Sequence, residues 1–285
     1  MNSTRRLVIA GNWKMNYGLR ETTDFFIDLE KQLKSELDEP TRQRLQELVT
    51  QHRLELFVIP PYLSLQKAQS LVTQLSCTIQ IAAQNAHWEK SGAFTGEVSG
   101  PMLKEIGIQT VLIGHSERRQ FFGETNEQVR KRSQSLLDQN FTIILCIGET
   151  KEERDADQTS IVLKQQLQDG LPQINSLLKF KSTKTAPSKL ILAYELVWAI
   201  GTGVTATPEM VEEAHSIIRE ELSKIVGIET AQEISILYGG SVTPLNIHSL
   251  LDCHNVDGVL VGGASLKPDS FFQLIKASIT FFKKP

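Results

Sequence analysis

The sequence predicts an α/β chain folded as a closed (β/α)8 barrel, one domain over residues 1–285. Three observations carry that reading. Short β-branched runs alternate with longer segments of helical spacing, the mark of a parallel sheet covered by helices. The alternation yields eight strand candidates, a number that favours closure over an open sheet. The turn after the first strand, Gly11-Asn12-Trp13-Lys14, lacks the glycine pattern of an open dinucleotide-binding sheet.

The elements follow in order. The strand candidates are residues 7–10, 56–59, 78–82, 110–113, 142–147, 190–193, 234–237 and 258–261. Residues 22–37 place Phe25, Phe26, Leu29, Leu33 and Leu37 at three- and four-residue intervals, which predicts an amphipathic helix. Residues 126–138 repeat the pattern with Val129, Leu136 and Leu137. Pro208, Pro244 and Pro268 mark starts of later helices, where a missing N–H costs little. Two connections are long. Residues 38–53 carry a second helical pattern after Pro40, with Leu45, Leu48 and Val49. Residues 176–189, rich in Ser, Thr and Lys, read as a surface excursion.

Composition narrows the class. The chain is 40% hydrophobic and 22% charged, ordinary for a soluble globular protein. A net charge of -3 and a pI near 6.1 give no reason to expect nucleic-acid or membrane-surface binding. The pairs Arg5-Arg6, Arg118-Arg119 and Lys283-Lys284 are too short for a basic patch and read as solvated charge. Cys77, Cys146 and Cys253 lie far apart, without metal-ligand spacing to the histidines. They read as reduced thiols of a cytoplasmic protein, and no metal or organic cofactor is expected. No run approaches the roughly 20 apolar residues of a membrane span.

The strand ends carry the chemistry, because they share one face in such a barrel. Asn12 and Lys14 follow the first strand and alternate with its period, so both are expected to face one side. A lysine there packs poorly but meets an anion well. His115 follows the fourth strand, in Gly114-His115-Ser116-Glu117-Arg118-Arg119. A helical turn beginning there would disfavour imidazolium and make His115 a neutral hydrogen-bond donor. Taken alone, such a histidine is more often structural. Glu195 ends the run Leu190 to Tyr194 and precedes a loop of small residues, so it reads as a base beside a flap. Gly239-Gly240-Ser241 and Gly262-Gly263 follow the last two strands. Paired glycines let backbone N–H groups approach an anion, and these two loops are a frequent phosphate site.

Together these motifs, with Cys146-Ile147-Gly148-Glu149-Thr150 and Ala193 through Gly203, resemble the triosephosphate isomerase family over essentially the whole chain. The resemblance implies a TIM barrel that interconverts dihydroxyacetone phosphate and glyceraldehyde 3-phosphate in glycolysis and gluconeogenesis. It implies Glu195 as the base, with His115, Lys14 and Asn12 stabilising an enediolate. Glu117 would pair with Lys14 and keep it placed. The phosphate would lie on N–H groups of Gly201, Ser241, Gly262 and Gly263. Residues 198–205 would form a lid with Gly201 and Gly203 as its flexible points. The loop from Gln84 to Glu97 carries Trp88 and Phe94, read as exposed, and Thr95. It implies a homodimer in which this loop reaches the partner.

Two positions depart from the family. Leu196 stands where the family has proline, which is expected to loosen the hinge after Glu195 by roughly 0.4–1 kcal/mol of chain entropy. Val204 stands where lysine is common. A tetrulose-phosphate isomerase on the same scaffold is the nearest alternative, suggested by Phe57-Val58-Ile59-Pro60-Pro61 and His87-Trp88. A non-catalytic sugar-phosphate sensor would be expected to lack Lys14, His115 or Glu195, and all three are present. Cys146 reads as core packing.

Overall fold

Eight parallel strands close into a barrel in the order β1 to β8, with β8 paired back to β1. The computed structural model describes residues 5–173, 188–197 and 206–282. The strands are β1 (Leu7–Asn12), β2 (Leu54–Ile59), β3 (Gln80–Ala83), β4 (Thr110–Ile113), β5 (Thr142–Ile147), β6 (Leu190–Glu195), β7 (Ser235–Gly239) and β8 (Gly258–Val261). All eight lie where β-branched runs predict them.

Two apolar cores follow from the period of two. Val8, Ala10, Phe57, Ile59, Ala82, Leu112, Ile144, Cys146, Ile191, Ala193, Leu237 and Leu260 fill the barrel. Their strand neighbours, such as Leu7, Ile9, Leu56, Leu192 and Tyr194, pack outward under the helices. The phase carries two polar residues inward at the carboxyl ends: Asn12 follows Val8 and Ala10, and Glu195 follows Ile191 and Ala193.

The helical period works similarly. Helix α1 (Leu19–Ser35) buries Phe25, Phe26, Leu29 and Leu33. It starts three residues before the apolar pattern, because Leu19, Arg20 and Glu21 face solvent. The long connection after it is helix α2 (Glu39–Thr50), opened by an Asp38 side chain that accepts from Thr41 N and burying Leu45 and Leu48. The helix Asn126–Asp138 has its predicted bounds. Pro208 and Pro268 open helices Pro208–Val226 and Pro268–Phe281, whereas Pro244 sits in a turn before Ile247–Leu251. Residues 176–187 of the second long connection lie outside the described residues.

The reading of the basic pairs as solvated is corrected at two of them: Arg119 donates to Gly114 O at 2.9 Å and to Asn126 Oδ1 at 2.6 Å. Arg5 and Arg6 are buried, not solvated. Arg5 Nε donates to Asp257 at 2.6 Å, and Arg219 donates to the other Asp257 oxygen at 2.8 Å. Arg6 bonds Glu55 at 2.9 Å, which also explains why β2 begins two residues before its apolar run. These pairs close the amino end of the barrel, opposite the carboxyl ends of the strands.

His215, on helix Pro208–Val226, is fully buried, places Nδ1 3.1 Å from Asn255 O and packs edge-on against Tyr194. Burial pushes its pKa from 6.5 down to about 3. The unfolded chain therefore binds the extra proton first, and this stability is present above pH 6.5 and lost as pH falls below it. Between pH 6.5 and 5 the loss is about 2 kcal/mol. We expect the urea midpoint to fall over this range and His215→Leu to flatten the fall; equal slopes in both proteins would assign the acid sensitivity elsewhere.

Candidate active site

The carboxyl ends of the strands open on a cavity of about 700 Å³ lined by Asn12, Lys14, His115, Glu195, Ser241, Gly262 and Gly263. Gly201, Gly203, Val204 and the rest of residues 198–205 lie outside the described residues.

Lys14 reaches the cavity by a route the strand period does not give. Strand β1 ends at Asn12, and Lys14 takes a left-handed φ of 53°. Such a conformation costs of order 1–3 kcal/mol for a side-chain-bearing residue. Two contacts hold it. Asn12 Oδ1 accepts the Lys14 N–H at 2.9 Å, and Gln84 Nε2 donates to Lys14 O at 2.7 Å. The Lys14 ammonium donates to Glu117 Oε1 at 2.7 Å and lies along Gly262. Asn12 therefore spends its oxygen on the backbone. Its amide NH2 has no partner among the described residues and lines the cavity.

His115 enters through a turn at Gly114, whose φ of 73° suits glycine and breaks the phase of β4. It caps the helix Ser116–Phe122, its Nδ1 accepting the Glu117 N–H at 3.2 Å. That bond leaves the proton on Nε2, which stands 3.0 Å from Glu195 Oε1. Burial disfavours the imidazolium, but the Glu195 carboxylate outweighs it and draws the His115 pKa upward. The pull belongs to this position of Glu195. Once the carboxylate turns away, burial and the N–H aimed at Nδ1 both keep the ring neutral.

Glu195 is fully enclosed and parked. Ser116 N donates to Oε2 at 2.8 Å and Ser116 Oγ to Oε1 at 3.1 Å. Burial alone would raise its pKa, but His115 and these Ser116 bonds more than offset it and keep the carboxylate ionised below the usual range. Cys146 lies buried in the barrel core beneath it. The sequence motifs give no role to Ser116 or to Gln84. Both act through hydrogen bonds to distant strands, which leave no local pattern. Glu149, which accepts from Tyr194 OH at 2.9 Å, is a third such residue.

At the other end of the cavity lie the glycine loops. The N–H groups of Gly262 and Gly263 make no hydrogen bond among the described residues. Gly263 itself opens one turn of 3-10 helix, Gly263–Ser265, with Gly262 as its N-cap. The loop after β7 has no such turn. Its helix begins at Ile247, and the Asn246 side chain there bonds Thr243 N and Ser241 O.

The loop after β3 is less open than its aromatics suggest. His87 stacks on Trp88 with centroids 4.1 Å apart and meets Phe94 at 4.2 Å. Trp88 is half-buried, whereas Phe94 and Thr95 are exposed. Leu196 also differs from expectation. It is 1% exposed, and its N–H donates to Gly239 O at 3.0 Å, so the residue after the base is anchored, not loosened.

The family model described as triosephosphate isomerase matches residues 7–278. The triosephosphate isomerase of Solibacter usitatus is 42% identical over 272 residues, 95% of this chain and 99% of its own. That of Geotalea uraniireducens is 42% identical over 274 residues, 96% of this chain and 99% of its own. That of Dictyoglomus thermophilum is 40% identical over 276 residues, 96% of this chain and all of its own.

The Leu196 bond has a consequence of definite sign. A proline here removes the N–H and leaves the Gly239 carbonyl unpaired, at about 1–3 kcal/mol. The entropy gain of proline is smaller, roughly 0.4–1 kcal/mol. Leu196→Pro is therefore expected to lower the denaturation midpoint relative to wild type. A proline variant as stable as wild type would show that the bond carries nothing.

Proposed function

The chain belongs to the triosephosphate isomerase family and is an isomerase, and from that premise we propose how its residues perform the reaction. The reaction interconverts dihydroxyacetone phosphate and glyceraldehyde 3-phosphate. Glu195 leaves Ser116, removes a proton from the carbon beside the carbonyl and returns it to the neighbouring carbon. A C–H beside a carbonyl is a weak acid, so charge developing on the oxygen needs fixed donors. His115 Nε2–H and the Asn12 amide are those donors, and Lys14, held by Glu117, supplies positive charge. The phosphate sits on N–H groups of Gly262 and Gly263 with Ser241, and Gly201, the fourth residue expected there, lies outside the described residues. These groups need no metal or organic cofactor for proton transfer.

One observation carries this reading. A carboxylate and an imidazole 3.0 Å apart share a cavity with two N–H groups that have no partner among the described residues. The relatives are named triosephosphate isomerases, which supports the triose and not the tetrulose phosphate as substrate. A coupled assay on glyceraldehyde 3-phosphate tests it. Glu195→Gln should lower kcat by about 10²–10⁴-fold, and kcat/KM should favour triose over tetrulose phosphate. An inactive wild type would overturn the assignment.

We further propose one barrel domain over residues 1–285, a cytoplasmic setting and a homodimer. No described helix is long and apolar enough to cross a membrane. The dimer rests on apolar side chains exposed beside the active-site face. Met15 (94%), Leu63 (89%), Phe121 (69%) and Phe122 (71%) are exposed after β1, β2 and β4, next to the loop from Gln84 to Glu97. A second copy of the chain would cover them and receive Thr95. Light scattering should give twice the 31.9 kDa chain mass. The double substitution Phe121→Asp, Phe122→Asp should halve it, and a monomeric wild type would refute the dimer.

A further inference from the structure

A triose phosphate brings roughly two negative charges to a cavity whose own charges do not attract it from a distance. Lys14 is matched by Glu117 at 2.7 Å. Glu195 is ionised and His115 is neutral once the carboxylate leaves it. One cation and two carboxylates leave this group with a single negative charge. The phosphate cradle itself is built of backbone N–H groups, which act only at contact.

Lys267 changes that sum. It lines the same cavity as Gly262 and Gly263, two residues past the short turn that Gly263 opens. It is exposed, and its ammonium makes no ion pair or hydrogen bond among the described residues. Its position is adverse on internal grounds. Lys267 is the N-cap of helix Pro268–Phe281, whose positive end disfavours a cation. The nearest carboxylate in that first turn, Asp269, accepts instead from Gln32. A free cation at the positive end of a helix, on the rim of an anion cradle, concentrates positive potential where the phosphate enters.

We propose that Lys267 is a substrate-binding residue for the phosphate dianion, supplying the long-range attraction that Lys14, paired to Glu117, does not. It moves no proton, so it acts on capture and affinity and not on the chemical step. This inference rests on the cavity binding a triose phosphate. A charge acting through open water is screened by salt, over about 10 Å at 0.1 M, and this sets the test.

Inorganic phosphate is titrated against wild type, Lys267→Gln and Lys267→Arg by calorimetry at low and high salt, and isomerase kinetics are run alongside. At low salt Lys267→Gln should weaken phosphate binding and lower kcat/KM by roughly three- to tenfold, with kcat within about twofold. The gap should close at high salt, and Lys267→Arg should restore both values. Equal phosphate affinity at low salt in wild type and Lys267→Gln would overturn the proposal. So would a deficit that persists at high salt, which would mark a packing role. If wild type turns over no triose phosphate yet binds phosphate in a Lys267-dependent way, the isomerase reading fails and this one stands.

Discussion

The ladder that joins β8 to β1 is the constraint on which the rest of the molecule depends. With it, the sheet has an inside and an outside, and every strand side chain is assigned to one or the other by parity alone. Without it the inner face of twelve apolar residues would meet water. The seam is braced at its amino end by Asp257, which precedes β8. Its backbone oxygen accepts from Val8 N at 2.9 Å, while its carboxylate takes Arg5 and Arg219. A buried carboxylate between two guanidiniums is stable only as a set. Removing one partner would cost about 3–5 kcal/mol, most of it at the joint that makes the barrel closed.

Parity then builds half of the active site at no further expense. Asn12 and Glu195 point into the mouth because Val8, Ala10, Ile191 and Ala193 point into the core below them. The other half needs departures from regular backbone. Lys14 is held at a positive φ by Asn12 and Gln84, and His115 is turned inward at Gly114. The site is thus a rigid set of strand ends carrying loop residues held by hydrogen bonds to residues at other strand ends or their own, with Lys14 kept at a positive φ.

What the sequence made legible follows the same division. Strand positions, helix faces and the residues brought to the cavity are written in local periodicity and in short motifs. Leu45 and Leu48 reveal α2, and paired glycines reveal the cradle. Arg5 and Arg6 read as solvated because a basic pair beside a strand looks so until Asp257 and Glu55 are brought to it from distant segments. Ser116, Gln84 and Lys267 carry no sequence signal for a related reason. Their neighbours are set by closure of the sheet, and one sequence carries no local trace of that. Trp88 reads as exposed because nothing local says that His87 and the helix of Lys131 and Arg132 will cover it.

Leu196 bears on how the base moves. Glu195 pairs with Gly239 in the β6–β7 register, and the next residue donates to the same Gly239 carbonyl at 3.0 Å. The backbone on both sides of the base is therefore fixed to β7. Its carboxylate must nevertheless leave Ser116 and His115 to reach a substrate. The movement has to come from side-chain rotation, which changes no ladder bond. Gly239 makes room for it, since a Cβ there would stand 3.1 Å from Glu195 Cγ. A larger residue would press on the segment that has to turn. Anchoring the main chain and emptying the space beside the side chain are complementary: the first fixes where the rotation is centred, and the second leaves it unobstructed.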